Sequence, residues 1–230
     1  RKLPGVESAA LISNVPFSNS EHGSGGCTSL AAAQAVMKAQ SLRVPGCAEA
    51  DVYAGTPGTL RTLGLKLVAG RVFDADEYVA GKTTSQDDSV SAMIVTQAFA
   101  RSLYPEHPNH VVGRDIYFGE AGLMKGQPTR IVGVGAHLHK ANVSNDGRSD
   151  DLSVLLPLEP NDLRALFALS SKPSQRDSVM KAAVAALNKS SPGRQVSADD
   201  AQTYAHMRAS YFQGDITMIG LLLASALGLI

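Results

Sequence analysis

The chain ends in an uncharged apolar segment, Ile216 to Ile230, and this segment constrains the fold more than any other feature. At about 1.5 Å per residue it would reach about 22 Å as a helix, short of the roughly 30 Å hydrocarbon core of a bilayer. A buried core helix can be that short, but it usually has a polar face and a C-terminal stop signal. The segment has neither. We therefore expect the start of a transmembrane helix near Asp215, with Ile216, Met218 and Leu221 in its first turns.

The remaining composition indicates a folded domain beside that membrane. The 230 residues include 21 basic and 21 acidic side chains, so no net field attracts a polyanion. No Lys/Arg block and no aromatic platform occur, which argues against nucleic-acid binding. The first residues lack the apolar region of a secretory signal peptide. We expect the chain to be an internal piece of a longer protein, with residues 1–215 forming its extramembrane part.

The two cysteines, Cys27 and Cys47, bracket a segment with helical spacing from Thr28 to Leu42. A disulfide would join the two ends of this helical excursion and stabilise the fold by roughly 3 kcal/mol in the chain-entropy model. The alternative is two free thiols in a cytosolic protein. Because a membrane segment is expected and no CxxC or histidine partner accompanies the cysteines, we favour the disulfide and an oxidising compartment.

Strand and helix signals are mixed along the chain, which predicts an α+β fold with two subdomains. "NVPFSNSEHGSGG" predicts a loop, because its small residues, Pro and Gly break any regular period. The predicted strands are Val6–Ile12, Ala48–Ala54, the extended stretch 65–73, Ala92–Thr96, 114–118, 129–139, 152–158 and Leu166–Leu169. The predicted helices, besides the bracketed one, are Thr59–Leu63, Gln97–Leu103 and a capped segment that ends near Asn188.

Several of these segments resemble, in the right order, the periplasmic core domain of MacB-like ABC-transporter permeases, the group that includes FtsX-type permeases. The resemblance covers nearly the whole chain, and the order of the segments is more specific than any one of them. The segments are "LPGVESAALISNVPF", "TPGTLRTLGLKLVAGRVFDADE", "SAMIVTQAFARSLYPEHPNHVVGRDIYF", "TRIVGVGAHLH", "DLSVLLPL" and "MRASYFQGDITMIGLLLASALGLI".

The resemblance implies an architecture. A porter-like βαβ subdomain would comprise about 1–20 and 151–211, and a sabre-like α/β subdomain would comprise about 48–139. The cysteine-bracketed segment 27–47 would be an insertion, and residues 216–230 would begin a transmembrane helix. The domain would face the periplasm from the bacterial inner membrane.

The resemblance also implies a function without a catalytic site. The domain would couple cytoplasmic ATP hydrolysis to a periplasmic conformational change that exports or extrudes a substrate. Its partners would be an ATP-binding cassette subunit or domain, a second copy of itself, the membrane and a periplasmic adaptor or partner protein. No cofactor is expected on this chain. The alternative is a non-transport, FtsX-like regulatory module that binds a periplasmic partner.

Two glycine motifs are weak matches to nucleotide-binding loops. Gly81-Lys82-Thr83 resembles the end of a phosphate-binding loop, but Asp76 occupies the position of the required first glycine. Gly133 and Gly135 lack the third glycine of a dinucleotide fingerprint, so we interpret them as strand glycines. We therefore predict no cofactor-binding residues.

The histidines and acidic pairs are equally weak as catalytic or metal-binding sites. His137 and His139 alternate on one predicted strand face, and His107 and His110 flank a proline, but zinc requires three or four convergent ligands. No G-x-S-x-G elbow is present. The acidic residues of the segment 197–200 are interpreted as a helix cap. We predict neither catalytic nor metal-ligating residues.

Overall fold

The computed structural model describes residues 3–18, 23–80, 90–143, 151–160, 166–190, 196 and 201–213. Strands alternate irregularly with short helices in this part of the chain. The strands are β1 (Val6–Ile12), β2 (Gly23–Cys27), β3 (Cys47–Ala54), β4 (Leu67–Gly70), β5 (Val79–Ala80), β6 (Ala92–Thr96), β7 (Asp115–Phe118), β8 (Thr129–Gly135), β9 (Ser153–Leu156), β10 (Leu158–Glu159) and β11 (Leu166–Ser171). The helices are α1 (Leu30–Ala39), α2 (Thr59–Leu63), α3 (Gln97–Leu103), α4 (Gly119–Leu123) and α5 (Arg176–Ser190), and residues 204–213 are also helical.

Among the described residues, one mixed sheet of seven strands has the order β4-β8-β6-β9-β3-β2-β7. Since β8 also pairs with β7, six of these strands close into a barrel and β4 adds to the outside of the ring. Strands β3 and β9 are parallel, as are β6 and β8. An irregularity in the register of β6 and β8 divides β8. Its first half pairs with β7 and its second half pairs with β4.

The barrel strands β6, β8 and β9 are buried on both faces. Met93 and Val95 of β6 face a core that is shared with Ile116 and Val154 and is closed by Phe99 of α3. Because strands all around the ring contribute to this core, it fills the barrel interior. The intervening residues of the same strands, such as Ile94 and Leu155, pack outward against the segment 60–78 and Leu138. This alternation is the period-2 pattern of a strand with two buried faces.

The chain divides into two compact units, a larger one formed by Val6–Ser170 and a smaller one formed by residues 1–5 and 171–230. The larger unit holds the barrel. In the smaller unit, α5 buries Val179 and Ala183, and the side chain of Asn188 exchanges two hydrogen bonds of 2.7 and 2.9 Å with the backbone of Val196. The smaller unit is therefore organised around α5.

The mixed α+β fold predicted from the sequence is confirmed. One local expectation is wrong. The loop predicted for the glycine-rich segment contains strand β2, because its glycines fit between close neighbours: a Cβ on Gly26 would lie 2.8 Å from the ring of Phe118. The segment that follows Phe118 begins with the short helix α4.

The pairing of β9 differs from the division inferred from the family resemblance. That division placed residues 152–158 with the porter-like part, whereas β9 lies between β3 and β6 in the large sheet. All four residues of β9 are buried, which suits an interior strand with covered faces.

The segment Ile216–Ile230, expected to begin a transmembrane helix, lies outside the described residues, as do Asp215, Met218 and Leu221. In the part of the chain that the structure describes, no helix combines the length and hydropathy needed to cross a bilayer. The transmembrane helix stays a prediction.

Candidate functional site: a disulfide-linked arm and a histidine–aspartate cluster

The helical excursion between the two cysteines forms an arm, defined here as residues 28–46. The antiparallel strands β2 and β3 place Cys27 directly opposite Cys47. Thr28 N donates a 2.9 Å hydrogen bond to Gly46 O, so the cysteines occupy the adjacent non-hydrogen-bonded position. Such positions bring the Cα atoms closest together, and here they are 4.1 Å apart. The structure contains a disulfide between the two cysteines, which joins the ends of the arm.

Helix α1 is shorter than the segment Thr28–Leu42 predicted from the sequence because both ends are capped. At its start the hydroxyl of Ser29 accepts a hydrogen bond of 3.1 Å from Ala32 N. At its end Gln40 adopts a left-handed conformation with φ of 48°. Ala33 and Val36 bury one side of the helix against the fully buried Cys27. The arm is thereby fixed to the barrel at its ends and along one side.

Asp151 lies between two histidines that follow β8. Its Oδ2 is 2.7 Å from His137 Nδ1, and its Oδ1 is 2.9 Å from His139 Nδ1. Only the first contact has the geometry of a hydrogen bond, since Oδ1 is buried and has no hydrogen-bond partner. The second contact is a close approach without hydrogen-bond geometry. Both histidine side chains are largely accessible, at 75% and 48% exposure.

Neighbouring strands hold this cluster in place. The hydroxyl of the buried Tyr53 donates a 2.6 Å hydrogen bond to the carbonyl of His139. The carboxylate of Asp51, also on β3, accepts a 2.7 Å hydrogen bond from Ala141 N. Thr96 donates from its hydroxyl to the backbone carbonyl of Asp151. The cluster thus ties the segment after β8 to β3 and to the start of β9.

These contacts connect neighbouring segments of the fold. Both Nδ1 atoms face the same carboxylate, and no hydroxyl or thiol of a described residue is hydrogen-bonded to either ring. Ser153, next to the cluster in sequence, is fully buried. In the described ranges, no group of three or more His, Cys, Asp and Glu side chains could hold a metal ion.

The sequence analysis considered His137 and His139 as candidate site residues but did not identify Asp151 as their partner. Asp151 could not be assigned because it belongs to an acidic pair at the end of a polar connector, more than ten residues along the chain. By contrast, Gly133 and Gly135 are strand glycines, as predicted: both lie in β8, and a Cβ on Gly135 would meet the side chain of Leu65 at 2.6 Å. The motif Gly81-Lys82-Thr83 and the acidic segment 197–200 lie outside the described residues.

Two arginine–carboxylate pairs lie on the described surface. Nε and Nη2 of Arg130 donate hydrogen bonds of 2.9 and 3.2 Å to Asp115, and this hydrogen bonding holds the pKa of Asp115 below its ordinary value. Arg71 binds Glu77 through two contacts of 2.7 Å and lowers the pKa of that carboxyl in the same way. Both pairs lie on the surface and connect neighbouring segments of the barrel unit.

Comparison with known protein families identifies the family of this chain. The family model described as "MacB-like periplasmic core domain" matches residues 3–204. The chain belongs to this family. It is a MacB-like periplasmic domain of an ABC-type transporter permease, as the segment order in the sequence implied.

More distant comparisons add little to the family match. No curated protein sequence matches the chain. The extracellular domain of the noncanonic ABC-type transporter YknZ from Gram-positive bacteria is 14% identical, with a TM-score of 0.48 over 84% of this chain and 80% of that one. The periplasmic region of MacB from Actinobacillus actinomycetemcomitans is 14% identical, with a TM-score of 0.44 over 85% of this chain and 91% of that one.

Proposed function

We propose that this MacB-like periplasmic core domain transmits movement for an ABC transporter. ATP hydrolysis by a cytoplasmic ATP-binding cassette subunit or domain would displace membrane helices, and the domain would follow that movement. The family match over residues 3–204 is the observation that carries this proposal. The substrate would be exported or extruded as two copies of the domain move relative to each other, and the domain itself would break no bond.

The barrel suits such a role mechanically. A closed ring of strands has no free edges within the ring, and its interior is packed by large apolar side chains. Because a closely packed core has low compressibility, the barrel would move as a unit. The apolar residues 216–230 would connect it to the membrane, with the domain on the periplasmic side of the inner membrane.

The proposal is tested by coupling in the assembled transporter. The full permease that contains this chain is reconstituted in lipid bilayers with its ATP-binding subunit, and ATP hydrolysis is measured. We expect an engineered disulfide that joins the two copies through this domain to slow hydrolysis at least fivefold, and reduction of that bond to restore the rate. A single cysteine at the same position, blocked with a small reagent, is the matched control. An unchanged rate in the fully cross-linked protein would refute mechanical coupling.

A second candidate, the FtsX-like interaction module, is favoured by one observation. Helix α1 exposes apolar side chains, Leu30 at 40% and Met37 at 43%, on a surface that is fixed by the disulfide. Such a surface suits a protein partner. In this case ATP hydrolysis would regulate partner binding, and no substrate would cross the membrane.

A further inference from the structure

The outward face of the arm is unusually poor in charge for a surface helix. The sequence of α1, LAAAQAVMKA, contains one charged residue, and most of its residues outside the buried side are exposed. Helices with so few polar residues are normally covered. In this structure the disulfide and the two caps hold α1 on the surface instead. The arm surface is defined here as Leu30, Gln34, Met37, Lys38 and Met124.

The shape of the arm surface fits a helix. Leu30 and Met37 lie two turns apart on the same side of α1, and α1 contacts α4. Leu30 also lies near Gly126, since a Cβ on that glycine would be 3.1 Å from Leu30 Cδ1, and Met124, just before Gly126, is 61% exposed. The exposed Gln34, one turn after Leu30, lies between Leu30 and Lys38 on this side of the helix and borders the apolar stripe. Flexible methionines fit varied apolar partners well.

The charge of the arm indicates the sign of its partner. Residues 28–46 contain Lys38 and Arg43 and no acidic residue. Neither cation makes an ion pair with another residue that the structure describes. Association of two copies through this surface would bring like charges together. A membrane surface normally binds helices with a Lys/Arg-rich face and aromatic anchors, whereas the arm has two cations and no aromatic residue.

We propose that the arm surface binds an amphipathic helix of another protein, with acidic residues beside its apolar stripe. The apolar stripe would pack along Leu30, Met37 and Met124, and the acidic residues would face Lys38 and Arg43. Because the arm is already fixed by its disulfide and caps, little ordering is needed on this side of the complex. This surface would add a protein partner to the proposed transporter role, and binding of that partner would not require nucleotide.

The test uses two synthetic peptides of about 18 residues with the same leucine stripe, one with glutamates and one with lysines on the remaining face. Binding to the full chain in a mild detergent is measured by fluorescence anisotropy, with protein-free micelles as the blank. We expect the acidic peptide to bind at least about tenfold more tightly than the basic one. The double substitution Lys38→Glu and Arg43→Glu should reverse that preference. Equal binding of the two peptides, or binding of neither, would overturn the proposal.

A matched pair of variants locates the surface. Met37→Asp should weaken binding of the acidic peptide about tenfold, whereas Val68→Asp, at an equally exposed apolar residue of β4, should change it less than twofold. Circular dichroism checks that both variants keep the fold. Equal losses in the two variants would overturn the proposal. Vesicles with anionic phosphatidylglycerol are the competing probe, and binding of the chain to them that Met37→Asp abolishes, without peptide binding, would identify a membrane surface instead. No nucleotide is used, so this experiment and the transporter test can fail independently.

Discussion

Removal of the Cys27–Cys47 bond should destabilise the domain by an amount set mainly by the loop that the bond closes. The two cysteines are 20 residues apart in sequence. In the chain-entropy model a loop of this length corresponds to about 3 kcal/mol at room temperature. The double variant Cys27→Ala and Cys47→Ala should therefore unfold with a free energy lower by about this amount. At a typical urea m-value of about 2 kcal/mol per molar, the midpoint falls by about 1.5 M.

The assay is urea unfolding of oxidised protein, of protein reduced in denaturant, and of the double variant with and without reductant. Reduced wild type and the double variant should have similar midpoints, because both lack the cross-link. Reductant should leave the double variant unchanged, which is the control for side effects of the reagent. Thiol titration that finds two free thiols in protein folded under oxidising conditions would refute the disulfide. A bonded protein whose double variant loses less than about 1 kcal/mol would refute the loop-entropy reasoning.

Three further predictions concern the barrel unit. Gly70→Ala should destabilise the fold much more than Gly64→Ala in thermal unfolding. Both glycines have positive φ, at 77° and 70°, but of the two only Gly70 has a backbone atom, the carbonyl oxygen of Val132, that a Cβ would overlap. Equal losses of stability in the two variants would contradict this prediction. Tyr53→Phe should cost about 1 kcal/mol in urea unfolding, since the carbonyl of His139 loses a buried donor, and an unchanged midpoint would contradict the contact. Asp115→Asn should lower stability at neutral pH, and this loss should shrink as the pH falls below about 3.8. The pKa of Asp115 is depressed in the fold by Arg130, so its stabilisation is present above the unfolded value near 3.8 and is lost as the pH falls further. A pH-independent difference would refute this linkage.

Elements with strong local signals were predictable from the sequence. The β6 sequence AMIVT is apolar enough to indicate a buried strand, and Thr96 then caps α3 by accepting a hydrogen bond from Phe99 N. The order of such segments was sufficient to identify the family. Local patterns also indicated the disulfide-bracketed helix, whose ends differ from the prediction by two or three residues because the caps at Ser29 and Gln40 were not recognised.

Long-range pairing was not predictable in the same way. In the barrel, β8 pairs with β7 through its first half and with β4 through its second half. No residue pattern in β8 predicts this division. The strand β2 was missed because glycine has a low strand propensity. Here close packing, such as that of Gly26 against Phe118, leaves no room for a larger residue. Asp151 was missed as the partner of His137 and His139 because it is more than ten residues away in sequence, and only the folded chain brings the three side chains together.

If the domain transmits movement, its barrel unit is displaced as a rigid body when ATP is hydrolysed in the cytoplasm. The most direct measurement is the distance between spin labels at Glu106→Cys, an exposed loop position, in two copies of the reconstituted transporter. The native cysteines do not interfere, because they are joined in the disulfide. We expect the distance between copies to differ between the nucleotide-free and the ATP-trapped states, while two labels within one barrel keep a constant separation. An unchanged distance between copies in a transporter that hydrolyses ATP would rule out coupled movement of the domain.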